Sequence, residues 1–415
     1  MKNLVIVESP SKSKTIEKYL GKDYTVTSSK GHICDLATTG KEGLGVDVEN
    51  NFEPTYKINK DKKTTVKELK QMVEDADFVY LATDPDREGE AIAWHLANQL
   101  ELDLNENNRI VFNEITKNAV TKALGEPRTV DMALVKSQET RRILDRIIGF
   151  KLSKLLQRKI GSKSAGRVQS IALRMICDKE KEIKAFVPEE YWTIKAILEQ
   201  GLETNLVKYK DKKIEIKNEQ EASDILNALS NEYKLIDISE KQKKRSANLP
   251  FITSTLQQEA SNKLNFSAKR TMMVAQSLYE GVEIGTGAQG LITYMRTDST
   301  RLSKDFIDAA NAKIESEYGK EYLGNYRVKN DDKAQDAHEA IRPTSLDNDP
   351  DKIKLYLTND QYKVYKMIYA RALASLMSDA QTMSVTYTFD NNDYSFTISG
   401  SKLEFDGFFK SIQSI

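Results

Sequence analysis

The chain has 415 residues, 39% of them apolar and 30% charged, with Lys+Arg and Asp+Glu both at 62, so its formal net charge is zero. This composition excludes a disordered chain and, at about 100–200 residues per domain, a single compact core; two to four domains are expected. Overall neutrality gives no argument for a nucleic-acid partner, and Cys34 and Cys177, neither in a CxxC pair, encode no zinc site or disulfide framework and read as reduced thiols.

The first elements alternate. Leu4 to Val7 is a short apolar run, followed by a loop and a helical pattern over Thr15 to Leu20. Gly40 to Lys63 is polar and glycine-rich and is expected to be a surface excursion. Phe78 to Ala82 is a second buried-strand candidate, and Gly89 to Leu100 a second helix, which together predict an α/β domain over residues 1–140. Residues 131–185 are helical in pattern, with Ile143, Leu144, Ile147, Ile148, Leu152, Leu155 and Leu156 at helical spacing. Tyr191 to Ile197, Leu206 to Tyr209 and Tyr233 to Ile238 then read as strands. Near the end, Val385, Tyr387 and Phe389 alternate with polar residues, as do Tyr394, Phe396 and Ile398, which predicts a hairpin turning at Asn391-Asn392. Residues 250–375 are mostly helical in pattern, so one antiparallel sheet interrupted by a helical insertion is expected. Lys241 to Arg245 and Asp331 to Lys333 are charged connectors. No run of about 18 apolar residues occurs, and the N-terminal apolar run is too short for a signal peptide; a cytoplasmic protein with no membrane span is expected.

Three segments carry chemistry. Asp84-Pro85-Asp86-Arg87-Glu88-Gly89-Glu90 places four carboxylates in seven residues where a strand hands over to a helix. Carboxylates that close repel unless a hard divalent cation such as Mg²⁺ joins them; alternatively, acids at a helix start simply favour the macrodipole, which accounts for Glu88 and Glu90. Glu8 ends the first strand, and in a parallel sheet the strand C-termini share an edge, so Glu8 and Lys12 can face this cluster.

Residues 136–170 hold ten basic side chains against two acids, Glu139 and Asp145. Such a face suits a phosphate backbone, the alternative being a solvated, salt-bridged helix. The third segment is Gly290-Leu291-Ile292-Thr293-Tyr294-Met295-Arg296-Thr297-Asp298-Ser299. If extended, it sets Tyr294, Arg296 and Asp298 on one face. A tyrosine hydroxyl is a poor nucleophile unless a cation assists it, which Arg296 could do with Asp298 orienting it. With 18 tyrosines in the chain, core or surface packing is the competing explanation.

VIVESPSKSKTIEKYL at 5–20 and LATDPDREGEAIAWHL at 81–96 resemble the two halves of a Toprim domain, a metal-binding module of topoisomerases, primases and some nucleases. GLITYMRTDSTRLS resembles the active-site signature of type IA DNA topoisomerases. TRRILDRIIG (140–149), SAGRVQS (164–170), FNEIT (112–116), TLQQEASNKLNFSAKRTM (255–272) and DAHEAIRP (336–343) are similar to further segments of that family. Met295, where the type III subgroup tends to have proline, points to the bacterial topoisomerase I subgroup. The resemblance runs from residue 3 to about residue 410.

The resemblance implies a multidomain α/β plus α protein. Its four parts are a Toprim domain (1–36 and 61–138), a helical ssDNA-binding domain (37–60 and 139–189), an antiparallel β arch (190–246 and 376–415) and a helical, winged-helix-like domain bearing the tyrosine (247–375), in a ring. It implies ATP-independent cleavage and rejoining of one DNA strand through a 5′-phosphotyrosyl link, relaxing negatively supercoiled DNA, by a monomer acting on single-stranded segments near the nucleoid. By resemblance Tyr294 is the nucleophile and Arg296 the arginine that stabilises the phosphate. Glu8 protonates the leaving 3′-oxygen, Lys12 lies near the scissile phosphate, and Asp84, Asp86 and Glu88, with Glu8, hold Mg²⁺. Arg141, Arg142, Asp145, Arg146, Ser164, Arg167, Gln169 and His338, with His32 and Arg109 less specifically, match positions tied to DNA. His95 stays unassigned. Two positions depart from the pattern: IGSK precedes SAGRVQS where a Gly-Leu pair is expected, and Phe150 stands where tyrosine is common. Family members continue past the hairpin at 383–399. The alternative readings are a fragment that grips or cuts ssDNA without completing strand passage, or a Toprim nuclease or primase, which would not need Tyr294-x-Arg296.

Overall fold

A computed structural model of the chain describes residues 2–161, 164–285, 287–326 and 338–412. Lys163 of the basic segment and the 331–333 connector lie outside them.

The first strand, β1 (Asn3–Val7), leads through the N-cap Ser9 and Pro10 into α1 (Pro10–Leu20), a start that suits proline because its missing N–H would go unbonded there. β2 (Tyr24–Ser28) follows and pairs parallel to β1. The stretch read as a surface excursion is largely exposed, and it is built on two small strand pairs, β3 (Cys34–Leu36), just before it, with β6 (Tyr56–Ile58), and β4 (Val46–Asp47) with β5 (Glu53–Pro54). Its few apolar residues, Leu44 and Val46, join Leu36 in a small core against Ile143, Ile147 and Phe150, which is why so polar a segment is ordered. After α2 (Lys63–Glu74), β7 (Phe78–Leu81) pairs parallel to the other side of β1, and α3 (Arg87–Leu100) leaves its end. The sheet order is β2-β1-β7. Both faces of β1 are covered, which explains its unbroken apolar run. Leu4 and Ile6 enter a core with Leu69 and Leu96, while Val5 and Val7 enter a second core shared with Tyr279, Leu291 and Tyr294.

Beyond α4 (Lys117–Gly125), the helical stretch is α5 (Met132–Ile160), capped by Asp131 and ended by Gly161 in the left-handed region, and α6 (Arg167–Ala185). Every residue of α6 is exposed, its apolar Ile171, Met175 and Ile176 included. A six-stranded antiparallel sheet comes next. β8 (Lys195–Ile197), β9 (Glu203–Tyr209) and β10 (Lys212–Lys213) precede α7 (Glu219–Ala228), a helix not expected from the sequence, and β11 (Lys234–Arg245). The first predicted strand is shorter than expected, Trp192 contributing a lone bridge to Ile216. The supposed connector Lys241 to Arg245 is strand, paired residue by residue to the later hairpin.

The insertion is helical as expected: α8 (Thr253–Leu264), α9 (Ala268–Glu280), the small pair β12 (Val282–Glu283) and β13 (Ala288–Gln289), α10 (Lys304–Glu317) and α11 (Asn359–Ala374). The hairpin β14 (Ala380–Asn391) and β15 (Tyr394–Phe405) completes the sheet. Its turn is Asn392-Asp393, one residue later than predicted: both have positive φ, 52° and 66°, as a two-residue turn of this type requires, and Asn391 is still paired to Tyr394. Among the described residues no helix is long and apolar enough to cross a membrane.

Candidate active site

The site lies where the C-terminal ends of β1 and β7 meet the helical insertion. Glu8 follows β1, and Asp84 follows β7 after Ala82 and Thr83. The Asp84 N–H donates to Glu8 Oε1 at 3.0 Å. Lys12, buried on the first turn of α1, bonds Asp84 Oδ1 and lies 3.7 Å from Glu8. Burial opposes its charge, but Asp84 and Glu8 outweigh it and raise its pKa. Burial, reinforced by the Asp84 charge, pushes the Glu8 carboxyl up to about 7.

Asp86 divides its carboxylate between two tasks. Oδ1 caps α3 by accepting the Gly89 N–H at 2.8 Å, and Oδ2 accepts the Tyr294 hydroxyl at 2.6 Å. Gly89 permits the tight turn: a Cβ there would lie 2.2 Å from the Asp84 carbonyl oxygen. Arg296 Nη1 stands 4.0 Å from Asp86 Oδ2. Burial, then the charges of Asp84 and Asp86, raise the Tyr294 phenol far above its ordinary range, with Arg296 opposing them. The chain bends at Met295–Arg296, leaving Arg296 and Asp298 exposed and Tyr294 buried; the ion pair of Arg296 is to Asp86, which corrects the expectation that Asp298 orients it. His338 Nε2 is 2.8 Å from the Pro85 carbonyl oxygen, and its ring is 6.3 Å from that of Tyr294. Two backbone bonds fasten the Tyr294 segment to the segment between α3 and α4: Gly290 N–H to the Ile115 carbonyl at 2.9 Å and Tyr294 N–H to the Asn113 carbonyl at 2.8 Å.

Glu88 opens instead on an adjoining cleft with His32, Tyr56, His95, Gln138, Arg141, Arg142 and Asp145. A bond from His32, with further help from Gln138, lowers its carboxyl to about 2 against the effect of burial. Among the described residues no group of three or more acidic, histidine or cysteine side chains is arranged to hold a metal ion. The expected set Glu8, Asp84, Asp86 and Glu88 is thus not assembled around one point; its members are held by Lys12, Tyr294, Gln138 and His32.

Two expected DNA contacts are corrected. Arg109 is fully buried, its guanidinium spent on Glu90 and on the carbonyls of Leu81, Thr83, Asp84 and Ile110, so it props the acidic turn from below. Arg146 is buried as well, donating to the carbonyls of Leu36, Ala37 and Leu44. Arg142 is half-exposed and forks onto Asp35, an acid from outside the basic segment that sequence counting could not assign to it. Arg167 forks onto Asp145, and Ser164 and Gln169 are exposed beside the break between α5 and α6. Lys151, Arg158 and Lys159 are exposed and make no ion pair among the described residues.

Sequence reasoning missed Tyr279. It is buried at the end of α9, donates to Asp84 Oδ1 at 3.3 Å, and packs edge-on to Tyr294 with centroids 5.3 Å apart. Its place beside Ala275 and Leu278 reads as core, and nothing in the pattern marks it otherwise.

A Toprim domain model matches residues 3–115, and a DNA topoisomerase model matches residues 129–414. The chain belongs to the type IA DNA topoisomerase family. Over 418 aligned residues, 99% of this chain, it is 50% identical to DNA topoisomerase 1 of Campylobacter jejuni, of which it spans 59%. Full-length topoisomerase I from Thermotoga maritima has a similar structure, with a TM-score of 0.86 at 41% identity, covering 99% of this chain and 67% of that one. The chain thus joins a Toprim domain to further mixed α/β structure, as its topoisomerase I relative of known structure does.

Proposed function

We propose that this chain cuts and rejoins one strand of DNA through Tyr294, taking single-stranded segments of negatively supercoiled DNA as substrate and relaxing them without ATP. The observation that carries this reading is the Tyr294 hydroxyl donating to Asp86 at 2.6 Å beside Arg296, with Glu8 and Lys12 on the neighbouring Asp84. Tyr294 Oη attacks phosphorus and passes its proton to the Asp86 carboxylate. The bond from phosphorus to the 3′-oxygen breaks, and that oxygen takes the proton of the Glu8 carboxyl, which its raised pKa keeps available near neutrality. Arg296 donates to the non-bridging oxygens as their charge grows. Rejoining is the reverse: the 3′-hydroxyl attacks the phosphotyrosyl link, whose bond energy makes a nucleotide cofactor unnecessary.

Mg²⁺ belongs to the same proposal. Asp84, Asp86 and Glu88, with Glu8, would supply the oxygen donors a hard cation prefers, and the cation would offset the charge of the phosphate. The four-part division, the ring and the monomeric state are likewise part of this reading.

The test is a denaturing gel of labelled ssDNA incubated with the chain, with and without Mg²⁺. A covalent adduct absent from Tyr294→Phe is expected. Binding without adduct would leave only a DNA-binding module, and cutting that survives Tyr294→Phe would mark a Toprim nuclease. Plasmid relaxation with Mg²⁺ and no ATP then tests strand passage.

A further inference from the structure

We propose that Tyr279 is a positioning residue of the cleavage centre, its hydroxyl aiming the Asp84 carboxylate and its ring setting that of Tyr294. The inference rests on the strand-cleavage reading. Tyr279 is fully buried, and the partner of its hydroxyl is Asp84 Oδ1, the same oxygen that Lys12 bonds. Packing alone would be served by phenylalanine; a buried phenol is retained where its hydroxyl has a partner to hold.

Three independent contacts converge on this residue. Its ring meets Tyr294 at 5.3 Å and 63°, an edge-to-face arrangement that restricts how the nucleophile can tilt. The Lys12 ammonium lies 5.3 Å from the same ring, so Tyr279 lies beside the nucleophile, the lysine and Asp84. Its backbone also abuts the Tyr294 segment: Leu291 N–H donates to the Leu278 carbonyl at 2.7 Å, and a Cβ on Gly290 would come within 2.6 Å of the Tyr279 carbonyl oxygen. One residue of the helical insertion thereby registers the nucleophile's segment, the nucleophile's ring and a Toprim carboxylate against one another, a link across 195 positions of chain.

The test compares the unsubstituted chain, Tyr279→Phe and Tyr279→Leu on a labelled oligonucleotide, measuring both dissociation constant and single-turnover rate of adduct formation at saturation, with thermal melting to establish folding. Tyr279→Phe keeps the ring and is expected to slow adduct formation about tenfold at unchanged oligonucleotide affinity; Tyr279→Leu loses the ring as well and is expected to slow it about a hundredfold. A folded Tyr279→Phe that matches the unsubstituted rate overturns the inference, as does a variant whose affinity falls while its saturated rate is kept. An unsubstituted chain that forms no adduct overturns the strand-cleavage reading itself, and this inference with it.

Discussion

Asp86 holds Tyr294 with one carboxylate oxygen and the start of α3 with the other, so the helix cap and the candidate nucleophile share one side chain. The two tasks can be separated by substitution. Asp86→Asn keeps an N-cap acceptor, and Asp86→Ala removes it. Asp86→Ala is expected to lose about 1 kcal/mol of stability in chemical denaturation. Asp86→Asn should stay near the original stability, yet both should lower adduct formation at least about tenfold, because neither retains a carboxylate to take the phenolic proton. An active Asp86→Asn would remove Asp86 from the proposed chemistry.

Glu8 gives the pH dependence. Its carboxyl is raised from 4.5 to about 7, so the folded chain favours the protonated form: that contribution to stability is complete below about 4.5 and is lost as pH rises through about 7. Adduct formation that draws on this proton should decline above pH 7, approaching tenfold per unit. In Glu8→Gln the decline should vanish together with most of the rate, and the protein's melting temperature should gain on the original as pH is raised from 5 to 8.

Gly89 is expected to tolerate no side chain. The Cβ of Gly89→Ala would meet the Asp84 carbonyl at 2.2 Å, against backbone that cannot yield cheaply. Overpacking of this kind costs about 1–3 kcal/mol. Because the displaced residue is Asp84, adduct formation should fall further than unfolding accounts for, which kinetics at a temperature where the variant is fully folded will separate.

The basic residues divide by burial. Arg109→Ala leaves Glu90 short of a buried partner and should cost about 3–5 kcal/mol, read by urea denaturation. Lys151→Ala and Arg158→Ala should leave stability unchanged, but each should reduce the slope of log affinity for ssDNA against log salt by about one. Were Arg109→Ala to stay stable and shift only that slope, its place as a buried prop would be wrong.

Much of this was legible in the chain. Period and punctuation exposed the strand–helix alternation, because β1 is buried on both faces and α3 begins at a capped acidic turn. The acid run and the Tyr294 segment stood out by residue type, and the structure brings Asp84, Asp86, Tyr294 and Arg296 together. Burial of charge was not legible: Arg142 and Arg146 are four apart on one helix, yet one is half-exposed and the other lies under three carbonyls, a difference decided by β3 and the loop that follows it, not by α5. Nor could the sequence distinguish Tyr279 from a core aromatic, since its partner lies in another part of the chain.

The bonds from Gly290 to Ile115 and from Tyr294 to Asn113 join the Tyr294 segment to residues of the Toprim match. If the proposed cleavage is followed by a parting of these two segments, both bonds would break and the Tyr294 hydroxyl would leave Asp86. Rejoining would then have to wait until the same two bonds re-form, and the attachment that sets the reacting geometry would also guard the cut end against early closure.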